Sequence, residues 1–223
     1  MSRRLVVLLS GRGSNLGALL ERVHGDSAVA AEIVGVVSSR RGAAGLALAA
    51  EAGVPARTVD HRDYEDRATF EAALEAAIAP FAPDRLILAG FMRILTDAFV
   101  DRFSPAMLNV HPSLLPDFRG LDTHRRAIER GDADAGASIH VVTPALDAGP
   151  VIARVRVPIR EGDTPETLAE RVLAAEHLLY PEVLRWDAAG RLVLERERVM
   201  LDHRPLPATG IDLRVDREEL VPC

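Results

Sequence analysis

Five short, mostly apolar runs alternate with amphipathic segments over the first 130 residues. Runs of a few apolar residues, ended by glycine or polar residues, are typical of strands buried on both faces. They predict strands at 5–9, 33–37, 57–59, 85–89 and 107–110. Apolar residues at helical spacing predict helices at 15–23, 43–52, 63–79, 96–103 and 123–130. This alternation is typical of a Rossmann-like α/β fold, an open, mostly parallel twisted sheet with helices on both faces.

The pattern changes after residue 136, where helical spacing gives way to two β-rich segments. Residues 137–142 and 151–157 flank a loop rich in proline and glycine, and we interpret them as an antiparallel extension of the sheet. No repeat or low-complexity linker divides the chain. We therefore expect one domain over residues 1–200 and leave the polar tail 201–223 unassigned.

A long helix is predicted from Pro165 to about Trp186. Thr164 is its expected N-cap, because a threonine hydroxyl can accept a free amide proton of the first turn and proline suits the position after the cap. Tyr180 and Pro181 mark an expected break, since proline donates no amide proton and its ring crowds the preceding turn.

Composition excludes several kinds of chemistry. All 27 basic residues are arginine, so neither Schiff-base lysine chemistry nor a Walker-type lysine is available. The one cysteine, Cys223, is the last residue, which excludes a disulfide framework and a CxxC metal site. A net charge of −6 argues against nucleic-acid binding. No apolar stretch approaches the roughly 20 residues of a membrane span, so we expect no membrane partner and a cytoplasmic protein.

A glycine-rich loop at 10–15 joins the first strand to the first helix, the position of phosphate-binding loops in such folds. Its backbone amides and the Ser14 hydroxyl could bind an anion at the helix start. A dinucleotide is not expected, because Leu16 stands where the GxGxxG pattern needs glycine and no acid ends the second strand. A lone phosphate group fits the loop better, although a tight turn without a ligand would leave the same pattern.

The segment at 108–116 carries the strongest chemical pattern, Leu-Asn-Val-His-Pro-Ser-Leu-Leu-Pro. Asn109 and His111 alternate with apolar residues, so both side chains should point to the same face at the end of a central strand. Ligands bind at that end of open α/β sheets. An amide donor beside an imidazolium suits an oxyanion that forms on a carbonyl under attack. The alternative is a histidine hydrogen-bonded to backbone at a strand end.

Asp147 lies in the loop between the two β-rich segments and is a candidate partner for His111. An adjacent carboxylate favours the charged form of an imidazole. An aspartate two residues before a glycine is also common in plain turns, so the sequence leaves both interpretations open. His140, on the preceding segment, is either a further member of the site or a histidine of the core.

Six segments together resemble the phosphoribosylglycinamide formyltransferases of purine biosynthesis. In chain order they are SGRGSN at 10–15, LAGFMRIL at 88–95, LNVHPSLLP at 108–116, GLDTH at 120–124, ASIHVVTPALDAGPVI at 137–152 and AAEHLLYP at 174–181. Their unbroken order covers roughly residues 5–200. The resemblance implies transfer of the formyl group of 10-formyltetrahydrofolate to the amine of glycinamide ribonucleotide, with no metal and no covalent intermediate.

The same resemblance implies roles for particular residues. The catalytic set would be Asn109, His111 and Asp147, with His140 in support. The ribonucleotide would bind to Gly13, Ser14, Asn15, Pro112 and Glu176, with its phosphate on the glycine loop and its ribose on Glu176. The folate would bind to Arg67, Met92, Arg93, Ile94, Leu95, Asn109, Thr143, Leu146 and Asp147. Asp117 and Arg119 depart from residues common in relatives, which puts details of substrate contact there in doubt.

Other functions on this pattern remain as alternatives. A formyltetrahydrofolate hydrolase is expected to carry an N-terminal regulatory domain, and a methionyl-tRNA formyltransferase a C-terminal nucleic-acid-binding domain. We expect neither domain here. A non-catalytic folate- or nucleotide-sensing protein on the same fold is the alternative from another class. The expected partners are small-molecule substrates, and the chain is expected to be a monomer or a homodimer.

Overall fold

Nine strands form one open sheet within residues 2–223, the part of the chain that the computed structural model describes. Together with three strands of a second, smaller sheet, they make twelve strands in the described residues. In chain order these are β1 (Arg3–Leu9), β2 (Ala31–Ser38), β3 (Ala56–Thr58), β4 (Arg85–Leu88), β5 (Met107–His111), β6 (Asp134–Val141), β7 (Val151–Pro158), β8 (Leu192–Leu194), β9 (Val199–Leu201), β10 (Arg204–Pro205), β11 (Ile211–Asp216) and β12 (Glu219–Pro222). The helices are α1 (Ser14–Arg22), α2 (Gly45–Glu51), α3 (Arg67–Ile78), α4 (Asp97–Phe103), α5 (Thr123–Arg130) and α6 (Pro165–Ala188). The large sheet has the order β12-β11-β7-β6-β5-β4-β1-β2-β3, and β8, β9 and β10 form a small antiparallel sheet.

The pairing of the strands confirms the predicted fold class. The first five strands are parallel to one another, as the alternation of strands and helices predicts. β6 pairs antiparallel with β5 and β7, which confirms the antiparallel extension, although β6 begins at Asp134 and so before the predicted position. The C-terminal residues continue the sheet, since β11 lies parallel to β7 and β12 antiparallel to β11.

Helices cover both faces of the sheet because the central strands bury both of their faces. Leu5, Val7 and Leu9 of β1 pack in the apolar cluster that includes α1 and α6. Val6 and Leu8 pack in the cluster that includes α3 and α4. The carboxyl ends of β1, β4 and β5 lie at one edge of the sheet, where ligands bind in folds of this class. Within the described part of the chain, no helix is both long and apolar enough to cross a membrane.

α6 continues through Pro181, so the break predicted at Tyr180 and Pro181 is wrong. A proline inside a helix removes one hydrogen bond and costs about 3 kcal/mol. Packing offsets that cost here, because Tyr180 is fully buried between helix and sheet. Its hydroxyl lies 2.9 Å from the carbonyl oxygen of Leu108 and 3.2 Å from that of Leu88. These contacts hold the middle of α6 against β4 and β5.

Side chains define the starts of α3 and α6. Thr164 caps α6 as predicted, since its hydroxyl accepts the amide proton of Thr167 at 3.3 Å. α3 begins at Arg67, later than predicted. Asp66 sets this start, because its carboxylate accepts the amide proton of Thr69 at 2.8 Å and so satisfies the first turn.

Candidate active site

Asn109 and His140 face each other across the β5–β6 pair. The two residues are directly opposite in the antiparallel register, so their side chains share one face of the sheet. Nδ2 of Asn109 lies 3.1 Å from Nε2 of His140. His111 lies two residues further along β5, and strand alternation directs its side chain to the same face.

The surroundings of His140 determine its protonation. Nδ1 lies 3.0 Å from the carbonyl oxygen of Val141, which can only accept a hydrogen bond, so Nδ1 carries the proton. Burial lowers the pKa of His140 to about 4, against the smaller raising effect of the Asp147 carboxylate, and the ring is neutral near pH 7. Nε2 therefore accepts a hydrogen bond from Nδ2 of Asn109. This bond fixes the orientation of the Asn109 amide and leaves its second N–H for another acceptor.

Asp147 contacts both histidines from the loop that joins β6 to β7. Its Oδ2 lies 3.4 Å from Nδ1 of His111, and its Oδ1 lies 3.7 Å from Nε2 of His140. Oδ2 also accepts the amide proton of Gly120 at 3.0 Å. The proximity of Asp147 to His111 that the sequence suggested is therefore present, and the carboxylate also connects its loop to the segment after β5.

Both ring nitrogens of His111 face hydrogen-bond acceptors. Nε2 donates to the carbonyl oxygen of Phe118 at 2.9 Å, and Nδ1 faces the Asp147 carboxylate. Both ring nitrogens therefore have a partner within the protein, so His111 can donate to a substrate only when one of these partners gives way.

A cavity of about 130 Å³ opens beside this cluster. Its wall contains three residues of the cluster, Asn109, His140 and Asp147. It also contains five further residues that the resemblance assigns to folate, Arg93, Ile94, Leu95, Thr143 and Leu146. The remaining wall is apolar and was not singled out from the sequence: Leu88, Phe91, Val100, Val142 and Pro144. Apolar walls with a few polar groups at one end suit a flat ring system.

Three of the predicted catalytic and folate residues lie outside this cavity wall. His111 contacts Asp147 but does not line the cavity. Met92 is 63% exposed, and its backbone amide donates to the Ser10 hydroxyl at 2.9 Å. Arg67 is exposed at the first position of α3. The structure therefore does not bring Arg67 and Met92 to the cavity that their predicted partners line.

The glycine loop leads directly into α1, whose first amide groups have no partner within the helix. Gly13 has a φ of +76°, and a Cβ there would lie 2.5 Å from Cα of Gly45, so only glycine fits. Nδ2 of Asn15 donates to Oε2 of Glu176 at 2.8 Å. The predicted phosphate and ribose residues are therefore neighbours. Backbone amides, the Ser14 hydroxyl and the second N–H of the Asn15 amide are the groups that can hold an anion here.

Glu176 gives the stability of the protein a pH dependence that can be measured. Burial raises its pKa to about 7, although the hydrogen bond from Asn15 opposes the shift. The unfolded chain binds this proton less tightly, so the contribution of Glu176 to stability is full below pH 4.5 and is lost as the pH rises through 7. We expect Glu176→Gln to unfold at higher urea concentration than the wild type at pH 8, with a gain of about 1–3 kcal/mol.

Urea unfolding of both proteins between pH 5 and 8 measures this effect, and the gain should shrink towards the acid end. Glu170→Gln is the matched control, because Glu170 is exposed on the same helix. A gain from Glu176→Gln that stays constant across this range would contradict a raised pKa.

Pro112 lines a different cavity, and so do Asp117 and Arg119, the two residues that depart from the family pattern. Pro112 lines a cavity of about 300 Å³ beside α5, where Asp117 pairs with Arg130 at 2.7 Å. Arg119 is exposed and lines a cavity of about 530 Å³ that also reaches Asp147. Pro112 is therefore not part of the wall formed by the candidate folate residues.

Sequence reasoning missed backbone groups and two buried side chains. The Phe118 carbonyl and the Gly120 amide, which bind His111 and Asp147, belong to a turn in which Phe118 has a φ of +52°. No pattern of side chains in the sequence predicts contacts made by backbone groups of this kind. Ser10 and Glu71 bind the segment that lines the cavity. The position of Ser10 at the start of the glycine loop was an available signal, whereas nothing near Glu71 in the sequence indicated its role.

The cluster has the groups that acyl transfer requires. Asn109 offers an N–H donor for an oxyanion, and Asp147 offers a carboxylate for proton transfer next to an imidazole. Within residues 2–223, no group of three or more His, Cys, Asp or Glu side chains is placed to hold a metal ion.

Known proteins are similar to this chain in sequence and in fold over nearly its whole length. Residues 3–184 match the family model described as formyl transferase. The phosphoribosylglycinamide formyltransferase of Escherichia coli (strain K12) is 41% identical over 206 residues, which cover 92% of this chain and 97% of that protein. The human trifunctional purine biosynthetic protein adenosine-3 is 42% identical over 191 residues, 86% of this chain but only 19% of that protein. The phosphoribosylglycinamide formyltransferase structure from Coxiella burnetii has a TM-score of 0.90 and 45% identity, and the match covers 95% of this chain and 99% of that one. This chain belongs to the formyl transferase family.

Proposed function

We propose that this protein transfers the formyl group of 10-formyltetrahydrofolate to the amine of 5'-phosphoribosylglycinamide, a step of purine biosynthesis. Relatives that match nearly the full length of the chain are named phosphoribosylglycinamide formyltransferases. One observation carries the proposal for this chain: an oriented Asn109 amide and the Asp147 carboxylate share the wall of one apolar cavity. An acyl centre in that cavity would have a hydrogen-bond donor and a proton acceptor beside it.

The reaction needs no covalent intermediate on the protein. The substrate amine attacks the formyl carbon, and the carbonyl oxygen becomes an oxyanion. The second N–H of Asn109 stabilises this oxygen, with the charge of His111 close by. The bond from the formyl carbon to the folate nitrogen then breaks. The proton that the amine loses reaches the leaving nitrogen through a water held by Asp147, which also keeps His111 charged.

Binding of the two substrates is divided between neighbouring strand ends. The folate ring occupies the cavity formed by the segment 91–95 and the loop 143–147, with Arg67 and Met92 outside it along the path of the tail. The phosphate binds at residues 13–15, and Glu176 accepts hydrogen bonds from the ribose. Pro112 borders the ribonucleotide. The predicted cytoplasmic location and the monomeric or homodimeric state remain predictions.

An assay for free tetrahydrofolate, run with and without 5'-phosphoribosylglycinamide, tests this function. We expect release only when the amine substrate is present, because the bond from the formyl carbon to the folate nitrogen breaks only after the amine has attacked that carbon. Release without the amine would identify a formyltetrahydrofolate hydrolase instead. Binding of both ligands without any release would identify the non-catalytic sensing protein.

A further inference from the structure

The cavity depends on a segment that has no regular secondary structure of its own. Residues 91–96 lie between the end of β4 and the start of α4, and four of them line the cavity: Phe91, Arg93, Ile94 and Leu95. None of these residues lies within a strand or a helix, and only the carbonyl of Thr96, the last of them, accepts a helix bond from α4. Their position must therefore come from contacts with other parts of the chain.

The glycine loop holds the beginning of this segment. The amide of Ser10 donates to the carbonyl oxygen of Gly90 at 3.1 Å, and the hydroxyl of Ser10 accepts the amide proton of Met92 at 2.9 Å. The same hydroxyl lies 2.6 Å from the hydroxyl of Ser39. These bonds fix the first residues of the segment and leave its far end to a second contact.

Glu71 provides that second contact from α3. Its Oε1 accepts the backbone amide proton of Thr96 at 2.6 Å, and its Oε2 accepts the Thr96 hydroxyl proton. The Thr96 hydroxyl in turn accepts the amide proton of Phe99 at 3.3 Å and caps α4. One carboxylate thus fixes both the end of the cavity segment and the start of the next helix.

The burial of Glu71 is costly unless these bonds are made. Its residue is only 5% exposed, and among residues 2–223 no arginine or histidine forms an ion pair with it. Phe70 and Leu74, its neighbours on α3, pack in the apolar cluster of that face. A carboxylate in such surroundings requires hydrogen bonds to offset the loss of water, and Thr96 supplies both of those found here.

We propose that Glu71 is a positioning residue for the formyl donor. Glu71 does not line the cavity, so it acts through Thr96 by holding the segment 91–96 in the shape that binds the folate ring. This inference rests on the proposed function. It predicts that loss of the carboxylate weakens binding of the folate and leaves the ribonucleotide site, which lies on α1 and α6, unaffected.

Glu71→Leu removes both acceptors at nearly constant size. We expect the KM for 10-formyltetrahydrofolate to rise at least about tenfold, while the KM for the ribonucleotide stays within about twofold. The dissociation constant of tetrahydrofolate, measured by calorimetry, should rise by a similar factor. Glu71→Gln keeps one of the two acceptors and should raise the KM for the donor by a smaller factor, about threefold.

Asp187→Asn is the control for burial alone. Asp187 is a fully buried carboxylate that binds Arg85 at 2.7 Å. Arg85 is the first residue of β4, so this pair lies at the amino end of the strand and away from the candidate site. Its substitution should lower the melting temperature and change neither KM. Equal changes of both KM values in Glu71→Leu would mean that Glu71 has only a general structural role and would overturn the proposal. If Glu71→Leu does not fold, a donor KM of Glu71→Gln equal to that of the wild type would overturn it.

The calorimetric measurement separates this inference from the proposed function. A wild-type protein that binds tetrahydrofolate but transfers no formyl group would refute the function, and weaker binding by the Glu71 variants would still support the positioning role. A wild-type protein that binds no tetrahydrofolate would refute both.

Discussion

Asn109→Ala is expected to lower turnover by at least about 10²–10³-fold, the usual effect of removing one oxyanion donor. The amide is the group on the cavity wall whose second N–H is free to meet an oxygen, since the first is bound to His140. The affinity for the ribonucleotide should change little, because the proposed phosphate and ribose sites lie elsewhere, at residues 13–15 and Glu176. Steady-state rates and calorimetric titration with the ribonucleotide measure the two effects.

Val110→Ala is the matched control for this variant. Val110 is the next residue of β5, and its side chain packs on the other face of the sheet in the cluster that includes α6. Its truncation should reduce stability by about 1 kcal/mol and leave turnover nearly normal. Near-normal turnover in Asn109→Ala would refute the role of the amide.

Local sequence patterns predict the strand that carries Asn109 and His111, because alternation along a strand requires no knowledge of the rest of the fold. The position of His140 could not be obtained in this way. It depends on the register between β5 and β6, and a shift of one residue would turn His140 to the other face. The pairing partner of Asn109 is therefore known only once the two strands are aligned in the fold.

The same limit explains the other differences between sequence and structure. The helix break expected at Pro181 fails because Tyr180 finds two carbonyl partners on distant strands. The C-terminal strand β11 is placed by its pairing with β7, far away along the chain. Glu71 resembles any other acidic residue of an amphipathic helix until the fold brings Thr96 to it. Contacts between distant residues decide each of these cases.

Asp147→Asn is expected to lower turnover still further, by at least about 10³-fold, as comparable changes do where a carboxylate orients a catalytic imidazole. In the wild type, Oδ2 accepts from Gly120 and faces Nδ1 of His111, and Oδ1 faces Nε2 of His140. An asparagine that keeps the bond to Gly120 would place its uncharged oxygen against Nδ1 of His111 and its amide nitrogen beside Nε2 of His140. The variant therefore loses the negative charge that faces both histidines and the carboxylate that passes the proton on.

Asp117→Asn separates this effect from a general loss of negative charge around the site. Asp117 is exposed and pairs with Arg130, a contact of the kind that contributes about 0–1 kcal/mol. Its substitution should leave turnover within about threefold of the wild type, because it touches neither histidine. Both variants should keep the melting temperature of the wild type within a few degrees, since an asparagine at either position preserves the size of the side chain. If Asp147→Asn retained a tenth or more of wild-type turnover, the carboxylate could not be the group that passes the proton on, and the proton would have to leave by another route.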